Sequence, residues 1–193
     1  MRHDTVKVED IPQGIRDILK KNTVETKKTV LVDKEEKEVV LKQLKKGLLI
    51  TGITGSGKTH CLYAIKSVLK NYPASIDSFS TVLPATTSKV ENWVDFLFEL
   101  KEKFGSGNLR TTVDEITKPN YCFLDDLGAE NDTNWGQEML YLVINRIYNK
   151  ENVLFITTNL TVEELSAKYG DRIVDRLSDI CEIVVMPKKN YRE

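Results

Sequence analysis

Gly52-Ile53-Thr54-Gly55-Ser56-Gly57-Lys58-Thr59 matches the phosphate-loop pattern G-x-x-x-x-G-K-[ST] at every fixed position. The pattern carries meaning only between a strand and a helix, and both flanks comply. Gly47-Leu48-Leu49-Ile50-Thr51 reads as a buried strand, and Cys61, Leu62, Ala64, Ile65, Val68 and Leu69 recur at helical spacing behind the loop. That order aims backbone N–H groups and a positive helix end at phosphate. Gly55 and Gly57 let the main chain bend through conformations closed to other residues. Lys58 is expected at the β- and γ-phosphates, with Thr59 placing its hydroxyl on a magnesium ion. Gly52, Thr54 and Ser56 complete the expected nucleotide cradle. His60 is carried with the nucleotide-binding set, although it also reads as helix surface.

A second landmark lies downstream. The apolar strand Tyr121-Cys122-Phe123-Leu124 runs into Asp125-Asp126, and an apolar strand ending in carboxylates after a phosphate loop is a Walker B pattern. Asp125 is expected to hold the magnesium, and Asp126 to orient or deprotonate the attacking water. Another buried strand, Val153 to Thr157, ends in Thr158-Asn159. A polar side chain at the carboxyl end of a neighbouring strand sits where open α/β sheets bind ligands. Asn159 is therefore expected at the γ-phosphate or the water. The helix start is supplied separately by Thr161 and Glu164, which form a capping box. Arg172 and Arg176 lie four apart on one helix face. They can pair with Asp171, Asp175 and Asp179, or be offered to the γ-phosphate of a neighbouring subunit.

The remaining expectations concern the flanks and the connections. The charged leader up to Lys46 carries Ile15, Ile18 and Leu19, which suit a short amphipathic helix, and Val39, Val40, Leu41 and Leu44, which suggest a second. Phe79 to Leu83 is expected to be a strand. Val90, Trp93, Val94, Leu97, Leu100 and Phe104 are expected to form one helical stripe, with Trp93 and Phe104 in the core. Residues 47–193 are expected to form one ATPase domain behind the leader.

Composition narrows the class further. The 193 residues are 40% hydrophobic and 30% charged with a net charge of −1, which fits a globular protein and excludes a uniformly basic nucleic-acid binder. No apolar run reaches membrane-spanning length, and Met1-Arg2-His3-Asp4 lacks a signal-peptide core. A cytoplasmic protein is expected, with no membrane partner. Cys61, Cys122 and Cys181 have no metal spacing and read as reduced core residues.

Taken together, Gly52–Thr59, Phe123-Leu124-Asp125-Asp126-Leu127-Gly128-Ala129-Glu130, Thr157-Thr158-Asn159-Leu160-Thr161-Val162-Glu163-Glu164-Leu165 and Tyr169-Gly170-Asp171-Arg172-Ile173-Val174-Asp175-Arg176-Leu177 resemble the AAA+ ATPase domain of the DnaC/DnaI helicase loaders and the related IstB transposition helpers. The resemblance implies an α/β fold, a five-stranded parallel sheet sandwiched by helices with no C-terminal lid. It implies that Asn159 is the sensor-1 residue and that Arg176, with Arg172 second, is the arginine finger. It also implies ATP and Mg2+ as ligands, assembly into a homo-oligomer on ATP binding, and single-stranded DNA with a replicative helicase or a transposase as partners. Two departures stand out: the leader is short for a loader, leaving a mobile-element or phage accessory open, and Asp126 stands where many AAA+ proteins carry glutamate, which suggests slow turnover. The competing readings are a P-loop small-molecule kinase and a binding-only switch.

Overall fold

The computed structural model describes residues 8–32, 35–71, 87–105 and 107–188. After a 3-10 turn at Val8–Asp10 come α1 (Gln13–Lys21), β1 (Thr23–Val32), β2 (Glu35–Leu44), β3 (Gly47–Thr51) and α2 (Lys58–Asn71). Then follow β4 (Thr87–Asn92), α3 (Trp93–Lys103), α4 (Leu109–Thr117), β5 (Tyr121–Leu127), α5 (Asn134–Asn149), β6 (Val153–Thr158), α6 (Val162–Tyr169), α7 (Asp171–Ile180) and β7 (Cys181–Val185). β4-β5-β6-β3-β7 form one sheet whose neighbouring strands all run parallel. This is the expected five-stranded sheet.

The central strands are buried on both faces, as parallel strands between helices must be. Period-two alternation assigns each side chain to a face. Leu48, Ile50, Phe123 and Phe155 pack under α1 and α2, together with Leu62, Ile65, Ile11 and Ile15. Leu49, Leu124, Leu154 and Ile156 pack on the other side against Trp93, Val113, Leu140, Leu165 and Ile173. Phe123 and Phe155 stack at 5.1 Å. The leader helix α1 thus covers core through Ile15, as its spacing predicts. The three cysteines are free and buried; burial pushes the thiols of Cys61 and Cys122 up to about 12.

Four expectations need correction or fall outside the described residues. The second leader helix is instead β2, paired antiparallel with β1 in a register running from Thr23 opposite Leu44 to Val32 opposite Glu35. The β-branched residues Thr23, Val24, Thr26, Thr29, Val30, Val32, Val39 and Val40 favour strand over helix, and Glu25 stands opposite Lys42. Val90 belongs to β4, opposite Phe123, and the helix begins only at Trp93. Asn92 stops the strand there, since its Oδ1 accepts the N–H groups of Val94 (3.0 Å) and Asp95 (3.3 Å). Trp93 is buried, but Phe104 lies past the last turn and is 63% exposed. The strand expected at residues 79–83 lies outside the described residues.

Candidate functional site

Every predicted landmark except the arginines and His60 converges at the carboxyl ends of three adjacent strands. β6 lies between β3 and β5, so a residue just beyond it is placed between the phosphate loop and the acidic pair. Asn159 occupies that place. Lys58, which opens α2, is 7% exposed; its ammonium donates to Gly52 O (2.7 Å), Ile53 O (2.8 Å) and Asn159 Oδ1 (2.7 Å). The amide of Asn159 turns its other end to Asp126, donating from Nδ2 to Oδ1 at 3.0 Å. Lysine, amide and carboxylate therefore form one chain of charge-assisted bonds.

The two aspartates reach the same pocket because the strand is not regular. In an ordinary strand Asp125 and Asp126 would point to opposite faces. Here Leu124 pairs with Ile156 and Leu127 with Thr158, so two residues of β5 oppose the single residue Thr157. That is a β-bulge, which re-aims a side chain. Asp126 has φ 60°, a left-handed conformation that aspartate tolerates better than most residues. Thr157 secures the bulge from the neighbouring strand: its Oγ1 accepts the Asp126 N–H (2.9 Å) and donates to Asp125 Oδ1 (2.5 Å).

A clamp missed by sequence reasoning holds the chain beyond the bulge. Lys168, from α6, donates to Gly128 O (3.2 Å) and Glu130 O (2.8 Å) and pairs with Asp132 at 2.7 Å. The Glu130 carboxylate accepts the Gly128 N–H at 3.1 Å and the Tyr169 hydroxyl. Gly128 sits at φ 97°, and a Cβ there would come within 2.5 Å of Leu160, so only glycine passes. Glu130 was present in the quoted motif without a role. Its partners on α6, Lys168 and Tyr169, lie 38 and 39 residues away in sequence, beyond the reach of spacing arguments. The expected capping box is present: Glu164 N–H donates to Thr161 Oγ1 (3.2 Å), and the Thr161 N–H donates to Glu164 Oε2 (2.7 Å).

The residues fit a magnesium-bound triphosphate. Thr59 Oγ1 donates to Asp125 Oδ1 at 3.1 Å, close to the ~3 Å between adjacent oxygens of an octahedron with ~2.1 Å bonds. Among the described residues no cluster of three His, Cys, Asp or Glu side chains could hold a metal alone. Magnesium suits such a site, since it is bound by one or two protein ligands plus phosphate oxygens. Gly57 at φ 87° opens α2, and the buried Ser56 Oγ has no hydrogen-bond partner among the described residues. Ile53 and Thr54 stand exposed at the loop's tip.

His60 is exposed and faces away from this cluster, with Nε2 3.8 Å from Asp10 Oδ1. The two arginines do not meet the phosphate loop of their own chain. Arg172 and Arg176 lie over the Tyr141 ring at 5.1 and 4.8 Å, and Arg176 also lies 5.7 Å from the Tyr148 ring. Neither makes an ion pair with Asp171, Asp175 or Asp179 among the described residues. Asp171 instead accepts from Ser166. Arg176 Nη1 is buried without a hydrogen-bond partner among the described residues.

Asp125 carries a measurable tension. Its burial pushes the carboxyl above the ordinary value of 3.8; Thr157 and Thr59 oppose this, and Asp126 adds to it. A carboxyl whose pKa is raised on folding contributes stability below its unfolded value and loses it as pH rises through the folded one. Burial thus makes ionisation of this carboxyl a cost to the fold that grows as pH rises. Asp125→Asn is expected to raise the melting temperature, and the gain over the parent is expected to grow with pH. It is also expected to abolish the magnesium dependence of nucleotide binding. Thermal scans with and without Mg-nucleotide check both; a variant that melts lower and keeps its magnesium response contradicts the assignment.

A family model described as IstB-like ATP binding protein matches residues 34–193. The chain is 28% identical over 146 residues to the uncharacterized protein YqaM of Bacillus subtilis (strain 168), covering 71% of this chain and 42% of that one. It is 26% identical over 187 residues to the phage-like element PBSX protein XkdC of the same organism, covering 92% and 62%. The chain therefore spans less than two thirds of the length of these relatives. Among solved structures, the DnaC helicase loader superposes with a TM-score of 0.64 at 23% identity, over 74% of this chain and 79% of that one. AMPPCP-bound DnaA from Aquifex aeolicus gives 0.62 at 20% identity, over 77% and 42%. These likenesses show that the chain shares the fold of those two structures.

Proposed function

The chain belongs to the family of IstB-like ATP binding proteins, and from that membership we propose that it is a slow, assembly-dependent ATPase that switches a DNA-bound complex. The observation that carries the reading is the bond chain from Lys58 through Asn159 to Asp126, set beside the Thr59–Asp125 pair. One polar side chain touches both the phosphate-binding lysine and the carboxylate placed for water. Such a bridge suits a residue that reports the γ-phosphate to the site of hydrolysis.

In this reading Lys58 and the loop amides of Gly55, Ser56 and Gly57 bind and orient the β- and γ-phosphates. Thr59 and Asp125 hold the magnesium, which supplies neutralisation of charge on the phosphate oxygens when bound. Asp126 accepts a proton from the attacking water or orients it. Its single-methylene side chain reaches less far than glutamate, which supports slow turnover. Asn159 senses the γ-phosphate. Arg176, with Arg172 as the weaker choice, serves the site of the next subunit, since both stand away from the phosphate loop of their own chain.

The partners follow by analogy. One solved relative by fold is named a helicase loader, and one sequence relative is named for a phage-like element. We assign this chain to single-stranded DNA and to a replicative helicase, in the cytoplasm; the resemblance to the IstB transposition helpers keeps a transposase as the second choice. The family match favours this switch over the small-molecule kinase reading.

The test combines two measurements. Solution mass is expected to rise with a slowly hydrolysed ATP analogue, and ATP turnover is expected to change at least twofold on adding single-stranded DNA. A chain that stays monomeric with the analogue and turns over ATP indifferently to DNA overturns the proposal.

A further inference from the structure

On the side of the sheet opposite the phosphate loop, α4 and α5 enclose an open cleft of about 500 Å³ lined by Arg110, Asp114, Lys118, Arg146, Lys150 and Asn152. The location follows from the connections: α4 leads into the amino end of β5, and α5 into the amino end of β6. The charges follow from helical spacing. Arg110 and Asp114 on α4 and its capping residue Lys118 are spaced by four, as are Arg146 on α5 and its capping residue Lys150, so each helix turns one stripe toward the other. Four cations face one carboxylate in a molecule whose net charge is −1.

Part of this charge is already used. Asp114 Oδ1 lies 2.9 Å from Arg146 Nη1 and 3.8 Å from Lys150 Nζ. Lys150 Nζ and Asn152 Nδ2 donate to Thr117 O at 3.4 and 2.8 Å, satisfying a carbonyl at the end of α4. Helix-end compensation accounts for Lys118 and Lys150, which follow the C-termini of their helices. It does not account for Arg110. That residue sits in the first turn of α4, a turn with no acidic residue, where a positive charge opposes the helix dipole. Neither Arg110 nor Lys118 makes an ion pair among the described residues. The exposed Glu115 and Glu151 flank the cleft without lining it.

We propose that this cleft is a phosphate-backbone contact for single-stranded nucleic acid, with Arg110 and Lys118 as its principal cations. The inference rests on the DNA reading above and assigns that reading a surface. The shape supports an extended polyanion. Arg110 and Lys118 are eight residues apart, ~12 Å along the helix, and the lining holds no apolar side chain that would enclose a small molecule. Packed helices lie ~8–10 Å apart, so the space between their stripes suits one strand rather than a duplex. With no aromatic or base-reading wall, the contact is independent of sequence. It also lies apart from Lys58, Asp125 and Asp126, so losing it leaves basal ATP turnover intact.

The test is the salt dependence of binding to a fluorescein-labelled oligothymidine, measured by anisotropy on the full chain with an ATP analogue. Each cation neutralising a phosphate on a single strand contributes ~0.7 to the slope of log affinity against log salt. The double variant Arg110→Gln/Lys118→Gln is therefore expected to show a slope shallower by about 1.4 and an affinity roughly 25-fold weaker at 0.1 M salt. Its melting temperature and basal turnover should match the parent, which separates lost contact from lost fold. If the double variant binds with the parent slope and affinity, the cleft is overturned and the DNA reading stands. If the parent itself binds no oligothymidine at any salt, the DNA reading falls and the inference with it.

Discussion

Lys58→Ala is expected to lower ATP turnover at least 100-fold and to abolish thermal protection by ATP. The magnitude follows from what the ammonium touches. In a site 7% exposed, it holds the loop carbonyls of Gly52 and Ile53 and the amide of Asn159. A triphosphate would draw on the same charge, at a point where no solvent replaces it. Truncation removes the cation facing the phosphates and frees Asn159 from one of its two partners, so binding and the path to Asp126 fail together. A ligand that binds only the folded protein at 100 times its dissociation constant stabilises it by ~2.7 kcal/mol. Losing that shift is therefore easy to see in a melting curve. A Lys58→Ala protein that hydrolysed ATP at the parent rate would refute the role of the loop.

The second large effect concerns Arg176. Arg176→Ala is expected to lower turnover by ~1,000-fold or more, the lower end of what a trans-acting arginine contributes to phosphoryl transfer. It should leave nucleotide affinity nearly unchanged. The two variants thus separate binding from hydrolysis. The structural basis is where the guanidinium stands: over the rings of Tyr141 and Tyr148, away from its own phosphate loop, with Nη1 buried and unpartnered among the described residues. A purely structural arginine would lower the melting temperature when removed. A catalytic one acts on turnover beyond any such loss, and only in an assembly.

The site was legible in sequence where chemistry dictates residue type locally. A phosphate loop needs glycines, a lysine and a hydroxyl within eight positions, so Gly52–Thr59 can be read without coordinates. Asp125-Asp126 and Asn159 were legible as polar residues ending apolar strands. What could not be read was how both aspartates share one pocket. The bulge depends on pairing with β6, and Thr157, which secures it, looks like an ordinary β-branched core residue. The clamp through Lys168, Tyr169 and Glu130 is hidden for the same reason, since it joins segments that meet only in the fold.

The fold was legible in proportion to hydrophobic contrast. The three central strands, Leu48–Ile50, Tyr121–Leu124 and Val153–Thr157, are apolar runs and were placed well. β4 reads Thr-Ser-Lys-Val-Glu-Asn, a polar strand at one side of the sheet with only Ser88 and Glu91 buried, and its Val90 was drawn into the neighbouring helical pattern. β2 reads as a helix in sequence because alternating charge and β-branched residues give a weak signal for either period. Its Val39-Val40-Leu41 run spoke for strand through propensity rather than spacing.

The most direct test of the account is complementation between two inactive proteins. Arg176→Ala keeps an intact phosphate loop and acidic pair, while Asp126→Ala keeps its arginine. If ATP is hydrolysed between a loop on one subunit and an arginine on the next, mixing the two should build some interfaces with both parts present. Turnover should then rise above the sum of the separate proteins and peak at intermediate ratios. Turnover equal to that sum at every ratio, in mixtures shown by solution mass to form mixed assemblies, would contradict the shared site.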